Sequence, residues 1–254
     1  MHHTHSGRPA RTRQAVAVAL VLTAALAAAL ALTGARAASA AAPITVRIEG
    51  TTSTLLPTTV VRLGSAKVVK NGVAADSCSG ASAAGALEVA THGNWKGTWS
   101  ASYKSYFLSS IDGLGFPSTG AKFWAFWVND APATLGICGY DPKPGDSILF
   151  FPDCYGKTCP KNNGVLGVRA AAVATVGKPL TVTVTAYSDA KGTPSAAAGA
   201  TVSGGGVTAT TAAGGTATLS FAHAGRVTLK VSAPHALRTE AAVCVQSAGA
   251  HTCG

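Results

Sequence analysis

Charge is scarce in this chain and thinly spread. Asp, Glu, Lys and Arg make up 12% of 254 residues, 20 basic against 10 acidic. Beyond the first residues the basic side chains stand singly, with no Lys/Arg cluster. A nucleic-acid reader would carry a basic stripe, so no nucleic-acid partner is expected, and this charge supports only a mild attraction to an anionic envelope surface. A second long apolar run is also lacking, so no membrane span is expected past the N-terminal region.

Ligand and catalytic constellations are missing as well. Glu88 and His92 stand four apart on a helical stretch but have no third ligand, and Cys154 and Cys159 lack a second Cys or His pair at ligand spacing. No metal site is expected. Gly177-Lys178-Pro179 has neither the upstream glycine nor the Ser/Thr of a phosphate loop. Gly145-Asp146-Ser147-Ile148 mimics the motif of GDS-type serine hydrolases, but a strand follows it and no D-x-x-H partner occurs in the chain. Nucleophilic catalysis needs an oriented base, and none of His92, His223, His235 and His251 sits in a motif. No catalytic residue is assigned, and no enzyme is expected.

What is present begins with an export signal. Arg8, Arg11 and Arg13 precede an uncharged Ala/Leu/Val-rich run at residues 15–33, and Ala35-Arg36-Ala37 and Ala38-Ser39-Ala40 offer small-x-small cleavage sites. Residues 1–40 read as a secretory signal peptide. The alternative, a retained anchor, follows from the length of the run. Four basic residues lie in this leader, so the mature chain carries 16 minus 10, or +6. The expected location is secreted or on the outer face of the envelope. Six cysteines in an exported chain read as disulfides. Their spacing suggests one long link, Cys78–Cys138, and two short ones, Cys154–Cys159 and Cys244–Cys253, with other pairings open.

A change in composition divides the rest. Residues 42–160 hold all four Trp, whereas residues 168–254 have none, with one Tyr and one Phe. Residues 161–167, containing Lys161-Asn162-Asn163-Gly164, read as the join. In the first domain Ile44, Val46 and Ile48 alternate as a half-buried strand, residues 60–63 form a shorter strand candidate, and Ser82 caps a helix carrying Ala83, Ala86, Leu87 and Ala90 on one face. In the second, alternating Thr/Val/Ala runs separated by glycine turns predict a β-sandwich.

The most distinctive stretch is Phe123-Trp124-Ala125-Phe126-Trp127-Val128-Asn129, in a chain that is only 6% aromatic. As a strand it puts Phe123, Ala125 and Trp127 on one face and Trp124, Phe126 and Val128 on the other. Being apolar on both faces, it is central in a sheet or covered twice. Ser82-Ala83-Ala84-Gly85-Ala86-Leu87-Glu88-Val89-Ala90, the aromatic stretch, Pro144-Gly145-Asp146-Ser147-Ile148-Leu149-Phe150-Phe151 and the opening Thr45-Val46-Arg47-Ile48-Glu49-Gly50 together resemble the bacterial family related to the C-terminal domain of transcobalamin. Residues 168–246 resemble a bacterial immunoglobulin-like repeat. The resemblance implies an α+β chain: a β-grasp-like domain with one main helix, then an all-β immunoglobulin-like sandwich. It implies binding of a small soluble ligand, with cobalamin as a candidate, although nothing in the chain could form the helical barrel that shares the corrinoid in transcobalamin. Trp124, Phe126, Asn129, Asp130 and Tyr140 are the expected ligand-binding residues. The alternative is a structural or adhesive surface protein that contacts an envelope component, protein or glycan.

Overall fold

The computed structural model describes residues 2, 43–117, 119–156, 159, 164–188 and 191–253. Apart from His2, the expected leader lies outside the described residues, as does Lys161-Asn162-Asn163. The described chain is mostly β, with one helix.

The first half is built on a five-stranded sheet of β1 (Ile44–Glu49), β2 (Thr54–Val61), β8 (Lys122–Val128), β9 (Ala131–Pro132) and β10 (Ser147–Cys154), ordered β2-β1-β10-β8-β9. Its central pair, β1 and β10, is parallel, and the other pairs are antiparallel. β2 begins at Thr54, earlier than the candidate at residues 60–63. Pro57 is tolerated inside it because β2 is an edge strand, where one side of the backbone needs no ladder partner.

One face of this sheet is covered by α1 (Ala83–Ala90). The Ser82 side chain accepts from Gly85 N at 3.4 Å, and the Ala-rich sequence favours the helix that follows. The helix stops at Thr91, whose hydroxyl donates to Leu87 O at 2.7 Å, before His92 and Gly93 turn the chain with φ of 51° and 80°. Small side chains let α1 approach closely. A Cβ on Gly85 would stand 2.0 Å from Gly80 O, so the first turn lies on bare backbone and only glycine fits. Beyond the helix lie the hairpin β3 (Val68–Val69) with β4 (Ser77–Cys78), and the three-stranded sheet β5 (Trp95–Ser100), β6 (Ser105–Ile111) and β7 (Leu114–Gly115). Val46, Ile48, Ile148 and Phe150 from the large sheet, Ala86 and Leu87 from α1, and Trp95, Tyr106 and Ile111 from the small sheet share one core.

The second half has two sheets facing one core. One contains β11 (Val165–Ala170), β13 (Pro179–Tyr187), β14 (Pro194–Ala196) and β17 (Thr216–Ser220). The other runs β12 (Val173–Thr175), β19 (Thr239–Gln246), β18 (Gly225–Ser232), β15 (Thr201–Gly204), β16 (Val207–Thr210). Val182 and Val184 of the first sheet meet Leu229, Val231, Val243 and Val245 of the second around Phe221. Gly205 and Gly206, with φ of 57° and 80°, make the two-residue turn between β15 and β16. β11 starts at Val165, so the strand reaches into the join read at 161–167. Residues 42–254 form one compact unit. Three disulfides link Cys78 to Cys138, Cys154 to Cys159 and Cys244 to Cys253. They suggest a secreted or extracellular protein. Among the described residues no helix is long and apolar enough to cross a membrane.

Candidate functional site

Strand alternation in the five-stranded sheet sets two different surfaces. Trp124 and Phe126 turn toward α1: Trp124 packs near Phe116, and Phe126 stacks on Phe150 with ring centroids 5.7 Å apart. Trp127 turns the other way. In register, Arg47 stands beside Leu149, Leu149 beside Trp127, and Phe151 beside Ala125. Trp127, Leu149 and Phe151 form a buried cluster with Val165, against which Tyr187 and Leu237 pack. Those last three residues belong to the sandwich half. The aromatic strand is therefore covered on both faces, by α1 and by the second half of the chain.

A polar network borders this seam. Glu49 is fully buried and accepts from Arg47 Nη1 at 2.9 Å, Arg238 Nε at 2.8 Å and Thr54 Oγ1 at 3.0 Å. Arg47 Nη1 also donates to Arg238 O at 2.8 Å, and Arg238 Nη2 to Gly50 O at 2.6 Å. Burial lowers the Arg47 pKa, against the opposing pull of Glu49. At the other end of β8, burial pushes the Asp130 carboxyl up, while Arg47 and a side-chain hydrogen bond with Tyr187 pull it down. Burial, followed by the Asp130 charge, likewise raises the Tyr187 phenol.

Asn129 and Tyr140 meet on Asp146. Asn129 Nδ2 donates to Asp146 Oδ1 at 2.7 Å, while the Tyr140 hydroxyl and Lys143 N donate to Oδ2 at 2.6 and 2.8 Å. Asn129 Oδ1 in turn accepts from Ser147 N at 3.0 Å. Burial would raise the Asp146 pKa, but hydrogen bonds from Tyr140, Asn129 and Lys143 outweigh it and hold the carboxyl below its usual range. Burial and the bond to Asp146 push Tyr140 up to about 12. A carboxyl with a depressed folded pKa stabilises the fold above its ordinary pKa and loses that contribution as pH falls through the folded value. Asp146→Asn is thus expected to flatten the fall in stability below about pH 4. Urea midpoints measured from acid to neutral pH check this, and an unchanged acid slope would contradict it. Tyr140 has the opposite sign: its contribution is complete below about pH 10 and fades as pH rises toward about 12.

A cleft of about 280 Å³ opens along the seam. Phe151, Pro152 and Leu237 contribute apolar surface from both halves of the chain, and Lys122, Asp153 and His235 bring an ammonium, a carboxyl and an imidazole. Phe151 packs edge-on against Trp127, with centroids 5.8 Å apart, so a tryptophan lies behind the cleft wall.

Of the expected binding residues, Asn129 and Tyr140 are brought together, Asp130 is hydrogen-bonded with Tyr187 of the second half, and Trp124 and Phe126 pack toward the helix. Trp124 is 7% exposed, and its Nε1 has no hydrogen-bond partner among the described residues. Asp146, noted in the sequence within the hydrolase-like motif, closes a turn through its N–H to Lys143 O and is the acceptor that gathers Asn129, Tyr140 and Lys143. The cleft residues had no sequence signal, because Lys122, Asp153 and His235 share no motif and meet only where the two halves of the chain pack together. Glu88 does not pair with His92; it takes Lys70 Nζ at 3.0 Å and Trp95 Nε1 at 2.6 Å. Among the described residues no group of three or more His, Cys, Asp or Glu could hold a metal ion.

Residues 85–151 match the family described as a domain of unknown function (DUF4430). That stretch runs from α1 to β10 and so contains the aromatic strand, Tyr140, Asp146 and Phe151. Among solved structures, a candidate metal binding protein from Ruminococcus gnavus is similar at 15% identity and a TM-score of 0.33, covering 45% of this chain and 99% of that one. No curated protein matches the chain.

Proposed function

We propose that this chain is an exported, non-enzymatic binding protein that holds a small soluble ligand in the cleft between its two β domains. The cleft carries the reading. It joins apolar surface from both halves to three convergent polar side chains, the usual make-up of a small-molecule site. The sequence leader and the three disulfides support export. A mixed sheet with a parallel central pair and one covering helix supports a β-grasp-like first domain. The two-sheet core supports an immunoglobulin-like second domain.

At about 280 Å³ the cleft lies near the lower end of the range for small-molecule sites. A corrinoid is several times larger, so a compact ligand fits better than the cobalamin suggested by the family resemblance. The ammonium, imidazole and carboxyl favour a polar ligand bearing charge.

Tryptophan fluorescence titrated with cobalamin and a panel of small charged metabolites tests this, because Trp127 lies behind Phe151. A saturable change is expected with a compact ligand. The paired change Lys122→Ala and His235→Asn should weaken it about tenfold or more. Asn suits the positive φ of 60° at position 235. A flat response from folded protein across the whole panel would sink the reading.

A further inference from the structure

The small sheet β5-β6-β7 has an outer face that its core does not use. Trp95, Tyr106 and Ile111 point inward, whereas Lys96, Thr98, Phe107 and Ser109 are exposed. Thr98 stands directly opposite Phe107 across the strand pair. In the turn between β5 and β6, Tyr103 is 73% exposed and meets Phe107, itself 58% exposed, edge to face with centroids 5.5 Å apart and planes at 83°. Two large rings thus meet in water, outside the buried core clusters. Isolated exposed apolar side chains are ordinary, whereas contiguous exposed apolar surface is what interaction sites are built from.

The surroundings of the pair specify the partner. Lys96 and Lys104 lie within Trp95–Ile111, a stretch with no Asp or Glu, and the exposed Asp112 in the β6–β7 turn accepts from Asn94 Nδ2 at 3.0 Å. Neither lysine has an ion-pair partner among the described residues. The other exposed residues on this face and its turn are Thr98, Ser102 and Ser109, which carry hydroxyls, and Ala101. Flat rings, hydroxyls and unpaired ammonium groups match the three parts of an anionic sugar polymer. Ring faces accept the C–H face of a pyranose, hydroxyls exchange hydrogen bonds with sugar hydroxyls, and ammonium groups attract carboxylate or phosphate. A protein partner would need a larger apolar centre than two rings provide.

We propose that the outer face of β5-β6-β7 docks an anionic polysaccharide, with Tyr103 and Phe107 as the stacking platform and Lys96 and Lys104 as the charge contacts. This surface is separate from the interdomain cleft, so either reading can fail alone.

Binding of the mature chain to immobilised polygalacturonate, dextran and polyglutamate at low and high salt tests the proposal. Polygalacturonate is expected to bind and to weaken with salt, as exposed charge contacts do. Dextran and polyglutamate are expected to bind at least about tenfold more weakly. The double change Tyr103→Ser with Phe107→Ser should cut polygalacturonate affinity about tenfold or more, and Lys96→Gln with Lys104→Asn should remove most of its salt dependence. Asn suits the φ of 47° at position 104. These side chains are exposed, so the fold should survive their loss; an unchanged urea midpoint confirms it. Equal binding to polyglutamate would reduce the surface to bare charge attraction and overturn the proposal. So would equal binding to dextran, undiminished binding by the aromatic double variant, or no polygalacturonate binding at all.

Discussion

Replacing Glu49 by Ala is expected to destabilise the protein by about 3–5 kcal/mol, the range for removing one member of a buried charge network. Glu49 is fully buried between Arg47 and Arg238, and both of its oxygens are occupied. Its loss leaves two guanidinium groups facing each other, one of them on Arg47, which is only 8% exposed. The cost comes from stranding those charges; the intact network itself need not outperform a well-packed apolar seam. Arg47 and Glu49 lie on β1 and Arg238 adjoins β19, so the effect should reach both halves. Urea unfolding followed by tryptophan fluorescence, which reports the first half, and by far-UV circular dichroism, which reports both, should shift together. A loss below about 1 kcal/mol would contradict the burial and pairing described above.

The second large effect is expected at Cys78–Cys138. The link spans 60 residues and ties β4 to the turn that receives the start of α1, where Ala84 N donates to Ile137 O at 2.9 Å and Ala83 N to Tyr140 O at 2.8 Å. Loop-closure entropy gives roughly 4 kcal/mol for a loop of this length. Changing both cysteines to Ala should cost that much, and further loss should come from the core contacts of Cys78, which is 2% exposed. Removing Cys154–Cys159, which closes a separation of only 5, should cost roughly 2 kcal/mol. Thermal or urea unfolding of the two double variants checks the ranking; equal losses would contradict it.

Local pattern made much of this fold legible. Ile44, Val46 and Ile48 alternate in the sequence and line the core. Ser82 and the Ala-rich stretch after it mark α1, and the second-domain strands follow their Thr/Val alternation. The opposite orientations of Trp124 and Trp127 were legible for the same reason, since a strand alternates strictly. What covers the outward face was not. Leu237 and Val165 are separated from Trp127 by long stretches of chain, and no periodicity records a contact at that distance in sequence. Arg47 and Glu49 looked like the solvent-facing half of an amphipathic strand, yet both are buried and bonded to Arg238 of the second half. The candidate site was hidden for this reason. A cleft assembled from positions 122, 151–153 and 235–237 depends on docking, whereas sequence reading favoured the aromatic strand itself.

The central claim is that the second half of the chain covers the outward face of the aromatic strand and thereby forms the cleft proposed to hold a ligand. The direct test is nuclear Overhauser spectroscopy on the methyl groups of Leu237 and Val165 in the mature chain. Cross-peaks from these methyls to the Phe151 and Trp127 rings are the predicted result. Well-resolved Leu237 and Val165 methyls that show contacts only within the second domain would contradict it.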